Sequence, residues 1–319
     1  MPNPIIRTTD ADRDFKQLAD WFTILEDQPS TEAALLEFYL KNRADCFSKV
    51  AEESTGSLTG FYWVDRSRVD PDLGILYLYV VPEQRRQGLG NQLYADMLQV
   101  MVDNKLKTLR VRINSAWMDG IAFSKDHGFT ERGHSIRMGL DLQRFDDNLY
   151  DAIISRLQGE GFKFTSIAAL GNTLEAQQKL YKLNDATSSD TPGSEGEHAW
   201  PSFDDFQQSV CRAKWYKPEG QMVVIDTLTG EWVAMSAITR MEGNDFAYNL
   251  HTGVQRNYRS RKLAQAVKVL ALRFARDVLH TSRVETDHNS KNLPMIAIDI
   301  KLGYKELFRY YSMQKKLDQ

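Results

Sequence analysis

The sequence predicts an α/β fold built from two similar halves, and three observations carry that prediction. Residues 75–81 form a β-branched and aromatic run that suits a buried strand, and Pro82 stops it. From Leu89 onward the apolar residues Leu89, Leu93, Met97 and Met101 recur every four positions, marking an amphipathic helix to about Asp103. The same strand, loop and helix return 174 residues later, where Val254 aligns with Val80, Arg259 with Arg85, Leu263 with Leu89 and Ala264 with Gly90. A chain of 319 residues with 42% hydrophobic content is long enough to fill two cores.

In the first half, helices are expected around 12–26 and 31–39, followed by strands 46–52 and 58–65 joined by a turn at Ser54, Thr55 and Gly56. After the helix ending near Asp103 come a strand over 108–114, a short helix over 117–127, a turn at Gly128-Phe129 and a last strand ending near Leu140. The order is β-α-α-β-β-β-α-β-α-β. The join falls near 143–147, which predicts domains 1–143 and 144–319. The second half opens with a helix over 148–157, a strand over 162–167 and a helix from Thr173 to about Asp185. Residues 187–197, rich in Ser, Gly, Pro and acid, read as a loop and as the best candidate for a mobile segment. A strand over 246–254 precedes a helical stripe of Leu263, Val267, Leu270, Phe274 and Val278. Residues 284–295 and Leu302-Gly303-Tyr304 then repeat the strand, helix and turn.

The loop between strand and helix carries the chemistry. Backbone N–H groups at a helix start lack intrahelical partners and, with the helix dipole, favour an anion. Gly88 and Gly90 let the backbone turn tightly and approach phosphate oxygens, and Arg85 and Arg86 add cationic donors. The spacing fits neither Gly-x-Gly-x-x-Gly nor the Walker loop Gly-x-x-x-x-Gly-Lys-Ser/Thr. It resembles motif A of the Gcn5-related N-acetyltransferases (GNAT), Val-x-x-x-x-Arg/Gln-x-x-Gly-x-Gly/Ala, matched at Val80, Arg85, Gly88 and Gly90. The strand, helix and Gly-Phe turn that follow resemble the family's motif B. With Thr252-Gly-Val254 and Arg259-Ser-Arg-Lys-Leu-Ala264 in the second half, the chain is similar to tandem members, the two-domain group that includes mycothiol synthase-like proteins.

That resemblance implies two tandem domains, each a mixed, mostly antiparallel sheet flanked by helices. It also implies acetyl-CoA as co-substrate and direct transfer of its acetyl group to a primary amine. The loop residues it assigns to acetyl-CoA are Tyr79, Val80, Val81, Arg85, Arg86, Gln87, Gly88, Leu89, Gly90 and Asn91 in the first half. In the second half they are Val254, Arg259, Ser260, Arg261, Lys262 and Ala264, with Asn292 beside the pantetheine arm, where the first half has Trp117. Lys262 stands where the family has glycine, a change whose cost depends on that residue's φ.

Transfer to an amine needs a group to take the amine proton, a donor for the developing oxyanion and a proton for the leaving thiolate. The family's oxyanion donor is backbone, falling at 79–81 and 253–255. The slot of its thiol-protonating Tyr, five residues before the Phe of Gly-Phe, holds Ser124 and Asp299. The position of the base in several members holds Gly74 and Tyr248, of which Tyr248 alone can act. Three readings stay open: catalysis in the second domain, catalysis in the first, or a non-catalytic acyl-CoA-binding or interaction protein with degenerate sites.

Composition narrows the partners. The formal charge of −3 argues against general nucleic-acid affinity, and the six histidines show no metal-ligand spacing. Cys46 and Cys211, one per domain, offer no disulfide framework. No apolar run reaches a membrane span's length, and the N-terminus lacks a secretory layout, so a soluble, cytoplasmic monomer or homodimer is expected. The acceptor is a small-molecule or peptide amine; acids at Asp10, Asp12, Asp14, Asp204 and Asp205 suit either an amine cation or a helix start.

Overall fold

The structure, a computed structural model, describes residues 4–67, 70–192 and 199–317. The elements follow in chain order: β1 Ile5–Thr8, α1 Phe15–Glu26, α2 Glu32–Lys41, β2 Cys46–Glu52, β3 Leu58–Arg66, β4 Leu73–Val80, α3 Leu89–Asp103, β5 Thr108–Asn114, α4 Met118–Asp126 and β6 Thr130–Asp141. After them come α5 Asp151–Gly159, β7 Phe162–Ser166, α6 Leu174–Ser189, the short α7 Phe203–Phe206, β8 Gln221–Asp226, β9 Trp232–Thr239, β10 Ala247–Val254, α8 Leu263–Asp277, β11 Arg283–Asn289, α9 Leu293–Leu302 and β12 Lys305–Lys316. The predicted order of the first half holds element by element. β8 and β9 have no counterpart in the sequence reading, and α6 runs past Thr187 to Ser189, so the proposed loop begins later than expected. Residues 193–197 of that loop lie outside the described residues.

The chain divides into two compact units, Met1–His134 with Arg309–Gln319, and Ser135–Phe308. This differs from a cut near 143, and strand pairing explains it. In the first unit the sheet runs β1-β2-β3-β4-β5, and β5 then pairs antiparallel with Tyr310–Lys316 of β12. In the second unit the sheet runs β11-β10-β9-β8-β7, and β11 pairs antiparallel with Ser135–Asp141 of β6. Each unit therefore completes its sheet with a strand from beyond the expected boundary. Among the described residues the strand pairs within each unit are antiparallel, apart from β4 with β5 and β10 with β11, which are parallel and joined through a helix.

The first unit has a core on each face of its sheet. On one face Leu89, Leu93, Tyr94, Met97 and Met101 of α3 pack on Tyr62, Val64, Leu76 and Val80. On the other, Phe15, Leu18, Trp21 and Phe22 of α1 pack on Phe61, Trp63, Tyr77 and Tyr79. Successive β4 residues point to opposite faces, so even-numbered positions meet α3 and odd-numbered ones meet α1. The second unit repeats the layering, with α8 and α9 over one face and α6 and α7 over the other.

Candidate active site

In the first unit β4 and β5 pair only from Leu73↔Thr108 to Leu76↔Val111 and then separate, although both strands continue. The gap is a cleft of about 880 Å³, within the usual range for small-molecule sites. It passes through the sheet. Leu78, Val80, Tyr94, Phe123 and Phe129 line it on the α3 side, and Leu25, Glu26, Tyr77, Tyr79 and Trp117 on the α1 side, with Arg85, Arg86, Gly88, Gly90 and Asn91 at one end.

Backbone direction in β4 fixes which N–H faces that gap. The Val81 N–H donates to Thr59 O at 2.9 Å, across to β3. Alternation then turns the Val80 and Leu78 N–H groups the other way, toward the side β5 has left. The Val80 carbonyl shares that direction and accepts from Arg85 Nε at 2.9 Å. Arg85 thus covers the acceptor and leaves the Val80 N–H as the donor at the cleft wall. Of the three strand positions implied by the resemblance, Val80 is the one whose N–H turns away from β3. Arg85 itself is less a free phosphate ligand than expected, since its guanidinium stacks over Tyr79 at 5.6 Å and Trp117 at 5.3 Å.

Past a single 3₁₀ turn at Pro82–Gln84, the loop uses two left-handed residues, Arg86 at φ 61° and Gly88 at φ 90°. The first intrahelical bond of α3 is Gln92 N to Gly88 O at 3.1 Å, so the N–H groups of Leu89, Gly90 and Asn91 precede it. Gly90 faces the Phe123 ring, which a Cβ there would meet at 3.4 Å in ordinary contact. Gly88 has open space and is needed for its dihedral. These donors suit an anion such as a phosphate, and the cleft continues beyond them.

The second unit copies the loop backbone. Arg256–Tyr258 forms the same 3₁₀ turn, Ser260 and Lys262 are left-handed at φ 66° and 70°, Arg259 Nε donates to Val254 O at 3.1 Å, and Ala266 N donates to Lys262 O at 3.0 Å. The φ that decides the cost of Lys262 is therefore positive, the costlier outcome for a residue with a Cβ. The surroundings differ more than the backbone. Asp190 binds Arg256 and also Arg259, the latter at 2.8 Å, and Glu160 binds Arg261 at 3.2 Å, so the basic cluster already holds carboxylates. β10 and β11 pair only at Ala247↔Val284 and Tyr248↔Glu285, but the α6 side of the opening is filled. A Cβ on Gly253 would meet the Thr187 side chain at 2.4 Å, and Thr187 is hydrogen bonded to His251 Nε2 at 2.8 Å.

The side chains assigned to proton transfer are all engaged elsewhere. Ser124 lines the first cleft, yet its hydroxyl donates to Ile121 O at 2.8 Å. Tyr248 donates to Asp287 Oδ2 at 2.6 Å beneath Arg137, whose guanidinium binds Asp287 and Glu285 and lies 5.2 Å from the Tyr248 ring. It is a member of a buried polar network on β6, β10 and β11. Asp299 is fully buried, 2.5 Å from Lys268 Nζ and 2.6 Å from His288 Nε2. Burial pushes its carboxyl up, but Lys268 and His288 outweigh that and hold it below the usual range. It is the anion of a salt-bridged core. Asn292 caps α9, its side chain accepting from Met295 N, and Ala264 packs into the core of the second unit.

Sequence reasoning missed what stands at the α1 side of the first cleft. Glu26, the last residue of α1, lines the cleft and lies 3.4 Å from Arg112 Nη1. Its main-chain carbonyl accepts from Tyr310 OH at 3.1 Å, and Arg112 stacks on the Tyr310 ring. Burial, then Glu26 and Asp65, push the Tyr77 phenol up and keep it protonated. No local pattern joins residues 26, 77, 112 and 310. Among the described residues no group of three or more His, Cys, Asp or Glu is placed to hold a metal ion, and no helix is long and apolar enough to cross a membrane.

Comparison with known proteins agrees with this geometry. Residues 14–129 match the model of the Acetyltransferase (GNAT) family. No curated protein matches the chain by sequence. Among solved structures, a tandem GNAT protein from the clavulanic acid biosynthesis pathway superposes with a TM-score of 0.71 at 17% identity, covering 99% of both chains. A GCN5-related N-acetyltransferase from Sphaerobacter thermophilus also gives 0.71, at 15% identity, covering 98% of this chain and 95% of that one. The whole chain thus has the fold of tandem GNAT proteins.

Proposed function

We propose that the chain is an acetyl-CoA-dependent N-acetyltransferase that transfers the acetyl group directly to a primary amine, and that its working cleft lies in the first unit. The observation that carries this is the through-sheet cleft between β4 and β5, which joins a cradle of loop N–H groups to a carboxylate on the opposite face. A thioester seated there has its oxygen beside the Val80 N–H, a donor fixed before reaction begins. An amine arriving from the α1 side meets the carbonyl carbon from the other face, and holding both partners in one slot supplies much of the rate. The second unit keeps the loop's shape but holds its own carboxylates against the basic residues, which favours a supporting role.

Gly88→Glu in the full-length chain is the direct test. A carboxylate at the cradle repels the pyrophosphate and replaces the residue best suited to φ 90°. Calorimetric affinity for acetyl-CoA should be lost, while Lys262→Glu should leave it unchanged. Unaltered affinity in Gly88→Glu would remove the site from the first unit. Absence of free CoA release across a broad amine panel by a chain that binds acetyl-CoA would favour a non-catalytic binder.

A further inference from the structure

We infer that Glu26 is the base that takes the proton from the acceptor amine, and that the acceptor is therefore an alkylamine arriving as a cation. The inference rests on the reading above, since it assigns a residue to that same cleft. Three acidic residues line the cleft: Glu26, Asp119 and Asp126. Asp119 sits exposed in the first turn of α4, where an acid favours the helix dipole, and Asp126 is the exposed last residue of that helix. Glu26 alone comes from the α1 side, half-buried and held by other groups.

Those groups fix it in place. α1 stops at Asp27, which is left-handed at φ 52°, and Tyr310 OH holds the carbonyl of Glu26 itself. Arg112 of β5, one of the two strands that open the cleft, lies 3.4 Å from the carboxylate, and Tyr77 of β4, the other, lines the same cleft with its phenol pushed up by burial and by the charge of Glu26. A carboxylate held by Arg112 on a main chain anchored by Tyr310 is positioned, and its negative charge attracts an ammonium ion. In the second unit the residue 174 positions after Tyr77 is His251, which pairs with Thr187.

The step balances as follows. Glu26 accepts one proton from R–NH₃⁺, and the freed lone pair forms the C–N bond at the thioester carbon. The C–S bond breaks as the carbonyl re-forms. The leaving sulfur takes the second nitrogen proton, giving the amide and CoA thiol, and Glu26 returns its proton to water. A lysine-like amine, with a pKa of about 10.4, needs such a base at neutral pH. A nucleophile already neutral does not.

That difference is the test. Full-length protein and Glu26→Gln are compared for CoA thiol release with propylamine and with hydroxylamine, beside calorimetric affinity for acetyl-CoA. Transfer to propylamine should fall by roughly 10²–10⁴-fold in Glu26→Gln, with hydroxylamine transfer and acetyl-CoA affinity unchanged. Equal loss with both nucleophiles, or no loss with either, would overturn the assignment. Arg112→Met keeps the carboxylate but removes the cation beside it, and should give a smaller change confined to propylamine; a loss shared by hydroxylamine would mark the pair as structural. If the unsubstituted chain binds acetyl-CoA and acetylates neither nucleophile, the transferase reading fails and Glu26 falls with it. A chain that acetylates both while Glu26→Gln behaves identically sinks Glu26 alone.

Discussion

At the scale of single residues, two loops of one conformation show what their side chains contribute. Gly88 and Lys262 occupy the same left-handed position before α3 and α8, at φ 90° and 70°. A non-glycine residue there costs about 1 kcal/mol or more, offset in part by the greater chain entropy that glycine loses on folding. Lys262 is exposed, so removing its side chain sacrifices no core packing. Lys262→Gly should therefore stabilise the second unit by up to about 1 kcal/mol, a rise of roughly 2–4 °C in its thermal midpoint. A fall in midpoint would mean that the ammonium group contributes more than the dihedral costs. Arg85 makes the complementary point. Its conserved-looking place in the motif reads as a phosphate contact, yet its Nε spends a hydrogen bond on the Val80 carbonyl and its plane on Tyr79 and Trp117. Arg85→Lys keeps the charge but loses the planar fork. It should slow acetyl transfer more than it weakens acetyl-CoA binding, which steady-state kinetics and calorimetry on the same preparation would separate.

At the scale of elements, local pattern foretold identity and left partnership open. Strands 46–52 and 108–114 and the helix ending at Asp103 match their predicted bounds, because apolar periodicity and stop signals are properties of adjacent residues. The cradle was legible for the same reason: strand, Pro82, glycines and helix stand within one short stretch. The closing strand of each sheet was not, since nothing in residues 310–316 says which of two exposed edges they will join. Glu26 was hidden for a related reason, as its neighbours are separated by 51 residues at Tyr77 and by still more at Arg112 and Tyr310. The pairing has a consequence for dissection. Tyr310 and Met313 are almost wholly buried in the first unit, and β12 supplies the outer partner of β5. A fragment of residues 1–143 lacks both and exposes a strand edge, so it should lose cooperative unfolding and tend to associate. Within the full chain, Tyr310→Ala should cost about 3–5 kcal/mol by analogy with other buried aromatic truncations. Circular dichroism melts would decide both. A monomeric fragment 1–143 with a sharp transition would show that the borrowed strand is dispensable.

At the scale of the whole molecule, the two units should respond differently to acid. The first unit holds Asp14 below its ordinary value: burial pushes the carboxyl up, but Arg7 and the Asp10 N–H outweigh it. The second unit holds Asp147 below it against burial through Arg276 and Arg273, and Asp299 through Lys268 and His288. A carboxyl depressed in the folded state contributes stability that is present above its unfolded value of 3.8 and lost as pH falls through the folded one. These three groups therefore act only in strong acid. His251 acts earlier and belongs to the second unit alone. Packed under α6 against Thr187, it is pushed by burial from 6.5 down to about 4. Between those two values the unfolded chain binds a proton that the folded one refuses, so stability falls as pH falls through that window. The expected loss from pH 7 to pH 5 is about 2 kcal/mol, confined to the second unit. Denaturant titrations at pH 7 and pH 5, followed by amide exchange resolved along the chain, should show residues 135–308 weakening while residues 4–134 hold. His251→Asn keeps a polar partner for Thr187 without a titrating ring, and should remove the difference between the two pH values. If both units weaken equally, or the substitution leaves the slope unchanged, His251 is not the source, and protons are being taken up by groups common to both halves.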